Sequence, residues 1–205
     1  VGGGRRSGDA GGRDGSDAGA PPDWTLLETE HLLDCAVFRV GRTWARSPRT
    51  GRPAPFYRID AEDWVNIVPL TPDDEVVMVR QYRHGSATQT LEIPGGMVDP
   101  GESPAQAAAR ELLEETGFRA SSVEPLGALN PNPALFGNRC HTFLARGAVR
   151  AADIANSGHE ETAVELVPRR ELAARAAAGE IDHALVIAGL YWFEQRLRAE
   201  GEESR

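Results

Sequence analysis

Glu111, Glu114 and Glu115 follow Arg110 within little more than one turn of a predicted helix. At about 100° per residue they share one arc of its surface, where three carboxylates repel one another unless a cation neutralises them. An all-oxygen donor set suits a hard divalent ion, Mg²⁺ with Mn²⁺ as the alternative, and such an ion keeps positions open for substrate phosphates. Any Glu-rich helix can also be read as a solvated acidic face. Here Pro94-Gly95-Gly96 precedes the helix, and glycines let backbone carbonyls approach the same point.

The helix that carries these groups has legible ends. Ser103 suits the N-cap, Pro104 the first helical position and Gln106 the return partner of a capping box. Gly117 stands where a helix terminus takes a left-handed residue. Between them Ala105, Ala108, Ala109, Leu112 and Thr116 recur at three- and four-residue steps, which predicts one buried face with the glutamates beside it.

The run GMVDPGESPAQAAARELLEETGF fits the pattern G-x5-E-x7-R-E-U-x-E-E-x-G-U, with U a bulky apolar residue. The matching positions are Gly96, Glu102, Arg110, Glu111, Leu112, Glu114, Glu115, Gly117 and Phe118. It therefore resembles the Nudix box. The resemblance implies an α/β fold, an α/β/α sandwich around a mixed sheet, and metal-dependent cleavage of a nucleoside diphosphate linked to another moiety. It implies that Glu111 and Glu115 are the principal metal ligands, with the Gly95 carbonyl joining them. Glu114 is then a further ligand or holds a metal-bound water. Arg110 orients the carboxylates, Glu102 braces the loop or reaches metal through water, and Gly96 and Gly117 are structural.

Composition narrows the partners. The 205 residues carry a net charge of -9 with a sequence pI near 5.1, which argues against a general nucleic-acid binder. A polyphosphate substrate then needs local cations. Cys35 and Cys140 fit no metal-ligand spacing and read as reduced core thiols. No apolar run reaches the roughly 20 residues of a membrane span and no signal-peptide core is present, so the expectation is a cytoplasmic chain without a membrane partner.

Residues 1–22, rich in Gly, Asp and Arg, lack the apolar side chains to offset ordering and read as a disordered tail. Residues 23–60 read as a β-strand extension, broken at Gly41 and at Ser47-Pro48. The resemblance implies that it pairs or swaps between two subunits of a homodimer, against the alternative of a sheet folded on its own core. Residues 61–200 form the catalytic domain and 201–205 a second tail. Strands are expected at Trp64 to Leu70, Glu75 to Tyr82, LEIPGG, Val123 to Leu129, Arg139 to Ala145 and Thr162 to Val167. Helices follow at Arg169 to Ala178 and about Asp182 to Ala199.

Substrate contacts are sought around this core. VRQYRHG followed by LEIPGG resembles the ADP-ribose and nucleotide-sugar branch of the family. That resemblance makes Arg83 a bidentate diphosphate clamp, with Arg80 a second cation and Glu92 a structural partner of the loop or of that arginine. Trp64 leads the aromatics able to stack on a base, and Asn138, in the loop NPNPALFGN, is a candidate reader of sugar hydroxyls. Glu160 and Glu161 lie where such enzymes take a base or an extra metal ligand. The S-P-G loop of the best-known ADP-ribose enzymes is absent, and the C-terminal half looks more like the nucleoside-diphosphate-sugar hydrolases. The resulting expectation is hydrolysis of a nucleoside diphosphate sugar or ADP-ribose to a nucleoside monophosphate and a sugar phosphate. A nucleoside triphosphate or dinucleoside polyphosphate hydrolase is the alternative enzyme. A nucleotide-sugar sensor is the non-catalytic alternative, disfavoured because every box carboxylate is present and no basic helix-turn-helix segment accompanies them.

Overall fold

The structure is a computed structural model and describes residues 21–156 and 161–203. Three antiparallel strands open the chain as a sheet of their own: β1 (Thr25–Asp34), β2 (Arg39–Arg46) and β3 (Pro53–Asp60), in the order β1-β2-β3. The break expected at Gly41 does not occur. Gly41 lies inside β2 opposite His31, and the chain reverses instead at Cys35–Phe38, where the Cys35 amide donates to the Phe38 carbonyl. That turn has neither Gly nor Pro to announce it. The second expected break, at Ser47-Pro48, is present and is closed by Gly51 at φ 68°.

The larger unit contains β4 (Trp64–Leu70), β5 (Glu75–Arg83), β6 (Thr88–Glu92), β7 (Gly95–Met97), α1 (Pro104–Thr116), β8 (Phe118–Arg119), β9 (Ser122–Leu129), β10 (Cys140–Arg146), β11 (Val149–Arg150), β12 (Thr162–Pro168), α2 (Leu172–Ala177) and α3 (Ala184–Glu203). A seven-stranded sheet runs β12-β5-β4-β10-β9, with β6 joined to β5 and β7 to β4. Only β4 and β10 pair in parallel, so the sheet is mixed. Successive side chains of a strand face opposite ways. Ile67, Val77 and Phe143 therefore pack with Leu112 of α1, whereas Val68, Met78 and Leu144 pack with Val186, Leu190 and Phe193 of α3. Helices on both faces of one mixed sheet make the α/β/α sandwich.

The helix expected at Arg169 to Ala178 divides into a 3₁₀ turn over Arg169–Glu171 and the short α2. The α1 ends form as the sequence indicates. Ser103 accepts from the Gln106 amide, the Gln106 side chain accepts from the Ser103 amide, and Gly117 caps the C-terminus at φ 73°. Its buried face is rotated from the expected one, however. Ala105 and Ala109 are exposed, while Ala107, Ala108, Glu111, Leu112, Glu115 and Thr116 are buried. Two of the glutamates sit within the buried face, not beside it.

The N-terminal sheet touches the catalytic unit through Ile59. Its amide donates to the Leu135 carbonyl at 2.7 Å and its carbonyl accepts from Gly137, so the proline-rich loop is tied to the end of β3. Of the cysteines, Cys140 is buried and its thiol is pushed up to about 12 by burial and the nearby Asp63 carboxylate. Cys35 is only half-buried, so it is not the core thiol expected. Both are free.

Gly117 is constrained twice, by its left-handed backbone and by space: a Cβ there would lie 2.2 Å from the Ala152 carbonyl oxygen. Gly101 has φ 85° but open space around it. Gly101→Ala is expected to cost only the conformational penalty, about 1–2 kcal/mol. Gly117→Ala should cost clearly more, about 3 kcal/mol or above, because the α1 terminus must also move. Denaturant melts of the two variants measure the difference.

Candidate active site

α1 aims its buried face at the loop between β6 and β7. Glu111 and Glu115, one turn apart, are 8% and 3% exposed. The Gly95 amide donates to Glu115 Oε2 at 3.0 Å. A Cβ on Gly96 would fall 2.2 Å from Glu111 Oε1, and one on Gly95 would fall 2.3 Å from the Val65 carbonyl oxygen. Both glycines are thus demanded by close approach: the Glu111 carboxylate occupies the volume a Gly96 side chain would fill, and β4 occupies that of Gly95. Burying two carboxylates this close to each other carries a large desolvation cost unless cations and N–H donors offset it.

Arg110 supplies part of that offset. Its Nη1 donates to Glu111 at 2.8 Å and Glu114 at 3.2 Å, and its Nη2 donates to Glu102 at 3.0 Å and the Met97 carbonyl at 3.0 Å. One guanidinium fork therefore ties the box loop to the helix. The hydrogen bonds to Glu102 are the leading cause holding the guanidinium above its usual range, and they hold the Glu102 carboxyl below the carboxylate range. Glu102 also accepts from the Asp99 amide, which is the brace expected of it. Glu114 is the most open of the three box glutamates and faces Arg110.

A cleft of about 250 Å³ opens beside Gly95 and Gly96, lined also by Trp64, Asn66, Arg83, Glu92 and His183. Arg83 Nε and Nη2 donate to the two Glu92 oxygens at 2.8 and 2.7 Å. Glu92 is buried, which alone raises its carboxyl. The Arg83 fork and the Thr90 hydroxyl outweigh this and hold it below the usual value. Arg83 and Trp64 both reach the cleft, and Trp64 is held edge-on against Phe136 of the proline-rich loop.

Arg80 is not brought there. Three residues apart on β5, Arg80 and Arg83 take opposite faces of the sheet, and Arg80 pairs with Glu165 of β12 at 2.7 Å. Asn138 is likewise corrected: it is 5% exposed and donates to the Glu62 carbonyl, fastening its loop to the segment before β4 without lining the cleft. His183 was missed by the sequence reading. The sequence places it inside a helix from about Asp182, whereas α3 begins at Ala184 and leaves His183 at its cap position.

Glu160 lies outside the described residues, and Glu161 is exposed just before β12. Residues on either side of the undescribed stretch reach α1. The Ala155 amide donates to the Glu114 carbonyl at 2.8 Å, and the Thr162 hydroxyl lies 2.8 Å from the Glu115 carbonyl. Both attachments are on the carboxylate-bearing turn of α1.

Two buried carboxylates beside glycine backbone make a hard, oxygen-rich and partial donor set. Among the described residues no three Asp, Glu, His or Cys side chains stand close enough to complete a metal shell alone. The chemistry of the donors, carboxylate and backbone oxygen, is that of a hard divalent ion.

A family model described as NUDIX domain matches residues 62–189. The chain is 33% identical over 176 residues to the ADP-ribose pyrophosphatase of Mycobacterium tuberculosis, covering 83% of each chain. It is 29% identical over 185 residues to the ADP-sugar pyrophosphatase of Mus musculus, covering 85% of this chain and 82% of that one. A solved structure described as an ADP compounds hydrolase shares the fold, with a TM-score of 0.79 at 23% identity over 90% of this chain and 99% of that one. The chain belongs to the Nudix family of hydrolases. Among the described residues no helix is long and apolar enough to cross a membrane.

The close approach at Gly96 gives a direct test. In Gly96→Ala the new methyl must displace the Glu111 carboxylate, and misplacing a reacting group by about 1 Å costs on the order of 100-fold in rate. The expected outcome is a kcat lowered at least that far with a melting temperature changed by only a few degrees, read by steady-state kinetics and thermal unfolding.

Proposed function

We propose that this protein hydrolyses the diphosphate bond of ADP-ribose or a related nucleoside diphosphate sugar, releasing a nucleoside monophosphate and a sugar phosphate. The observation that carries the reading is the buried Glu111–Glu115 pair facing Gly95 and Gly96 beside a cleft that also holds Arg83. The relatives named above, which act on ADP-ribose and ADP-sugars, agree with it.

Glu111 and Glu115 hold the divalent ion, Mg²⁺ or in its place Mn²⁺, with the Gly95 carbonyl as a further ligand. When bound, the ion neutralises diphosphate charge and lowers the pKa of a coordinated water. Arg110 orients Glu111 and Glu114 through its Nη1, and Glu114 serves as a further ligand or a hold on that water. Arg83, fixed in direction by Glu92, presents its guanidinium to the diphosphate as a positioned charge. Trp64 offers a face for stacking at the cleft mouth. Glu160 or Glu161 provides the base, and the nearby Ala155 and Thr162 hydrogen-bond to the Glu114 and Glu115 carbonyls.

The N-terminal sheet accounts for assembly in this proposal. β1 to β3 leave Leu26, Leu33, Phe56 and Tyr57 largely exposed. Exposed apolar side chains and an open strand edge favour association, and a second copy of the chain is the occupant.

Two experiments test these statements. Phosphatase-coupled phosphate release with Mg²⁺ on ADP-ribose, ADP-glucose, GDP-mannose, UDP-glucose and ATP is expected to show turnover of diphosphate sugars, with ATP the poorest substrate. Glu115→Gln should lower kcat by at least about 100-fold at saturating Mg²⁺, and near-normal turnover of that variant, or preference for ATP, would refute the reading. Light scattering at micromolar concentration should give twice the 22.1 kDa chain mass. A single-chain mass removes the dimer and leaves the hydrolase reading standing.

A further inference from the structure

His183 stands immediately before α3 and lines the cleft opposite the box glycines. Its carbonyl accepts the first helical hydrogen bond, from Ile187 at 3.0 Å, and its Nδ1 lies 3.2 Å from the Leu185 amide. A backbone amide can only donate, so Nδ1 accepts and the neutral ring carries its proton on Nε2. The helix thereby fixes the tautomer. Among the described residues Nε2 has no hydrogen-bond partner. The Glu92 carboxylate lies within electrostatic range of the ring, but both of its oxygens are taken by Arg83. The result is a half-buried N–H donor, held by the helix start and without an acceptor among the described residues, in the lining of the cleft that also holds Arg83.

We infer that His183 is a substrate-contacting residue, donating from Nε2 to a phosphate oxygen of the nucleoside diphosphate sugar; this rests on the proposed function above. Arg83 and His183 are complementary donors, one a guanidinium fork directed by Glu92 and the other a single N–H whose ring is held at the helix start.

Side-chain chemistry separates the capping role from the donor role. Aspartate and asparagine both serve well as N-caps. Asparagine also has N–H donors for the substrate, whereas aspartate offers only acceptors. Alanine has neither. His183→Asn, His183→Asp and His183→Ala in the full chain are compared with wild type for KM and kcat on ADP-ribose with Mg²⁺, alongside thermal unfolding. His183→Ala and His183→Asp are both expected to raise KM about tenfold or more, the loss usual for a hydrogen bond to a charged group. His183→Asp should do so at an unchanged or higher melting temperature, and His183→Asn should recover KM to within about threefold. An unchanged KM in His183→Ala, or a His183→Asn variant as impaired as His183→Asp, overturns the donor role while wild-type turnover still supports the hydrolase. If wild type turns over no nucleoside diphosphate sugar, the functional reading fails and the phosphate assignment falls with it.

Discussion

The structure is organised around the cost of burying Glu111 and Glu115 on the inner face of one helix. An uncompensated buried carboxylate costs several kcal/mol even after relaxation. Each surrounding feature answers that cost. Gly95 turns an N–H toward Glu115, and Gly96 gives up a side chain so that Glu111 has room. Arg110 meets Glu111, Glu114 and Glu102 with one planar fork. The occupant proposed for this carboxylate pair is a doubly charged ion.

The sandwich holds these groups by dividing labour between its faces. α1 is packed on Ile67, Val77 and Phe143, and it fixes the carboxylates against β7. On the other face α3 is anchored by Val186, Leu190 and Phe193, and its first turn delivers His183 to the cleft. Asn66 links the two, since it lies on β4 opposite Gly95 and its amide donates to the Leu185 carbonyl at 3.3 Å. The cleft is thus bounded by elements that each have a separate hydrophobic reason to be in place. Such support is what keeps catalytic geometry within tolerance.

Around this centre lie the parts proposed to meet the substrate. The proline-rich loop is tied to β3 through Ile59, to the segment before β4 through Asn138, and to Trp64 through Phe136. The N-terminal sheet therefore bears directly on one wall of the cleft, though it adds no carboxylate. A related point concerns electrostatics. The chain is acidic overall, at -9, yet Arg83 lines the cleft and Arg110 pairs with Glu111 beside it. Local placement of cations outweighs net charge at short range.

The sequence by itself determined the box, both ends of α1 and most of the strands. These rest on short-range physics: a capping box needs only Ser103 and Gln106, and a left-handed cap needs only Gly117. Alternation in β5 also sufficed to separate Arg80 from Arg83, had it been applied, because an odd spacing along a strand means opposite faces. Other features were beyond any local pattern. The reversal at Cys35–Phe38 carries no Gly or Pro, and Gly41 looked like a break but sits in a strand whose neighbours supply its hydrogen bonds. Ala105 and Ala109 looked buried because alanine is neutral in pattern, whereas the contact with Gly95 and Gly96 rotates the buried face of α1 onto Glu111 and Glu115. Asn138 became a clamp and His183 a wall of the cleft because partners distant in sequence, Glu62 in one case and the box loop in the other, arrive only when the sheet is assembled. Residue types and their spacing set which chemistry was available. Long-range packing decided which of those residues meet.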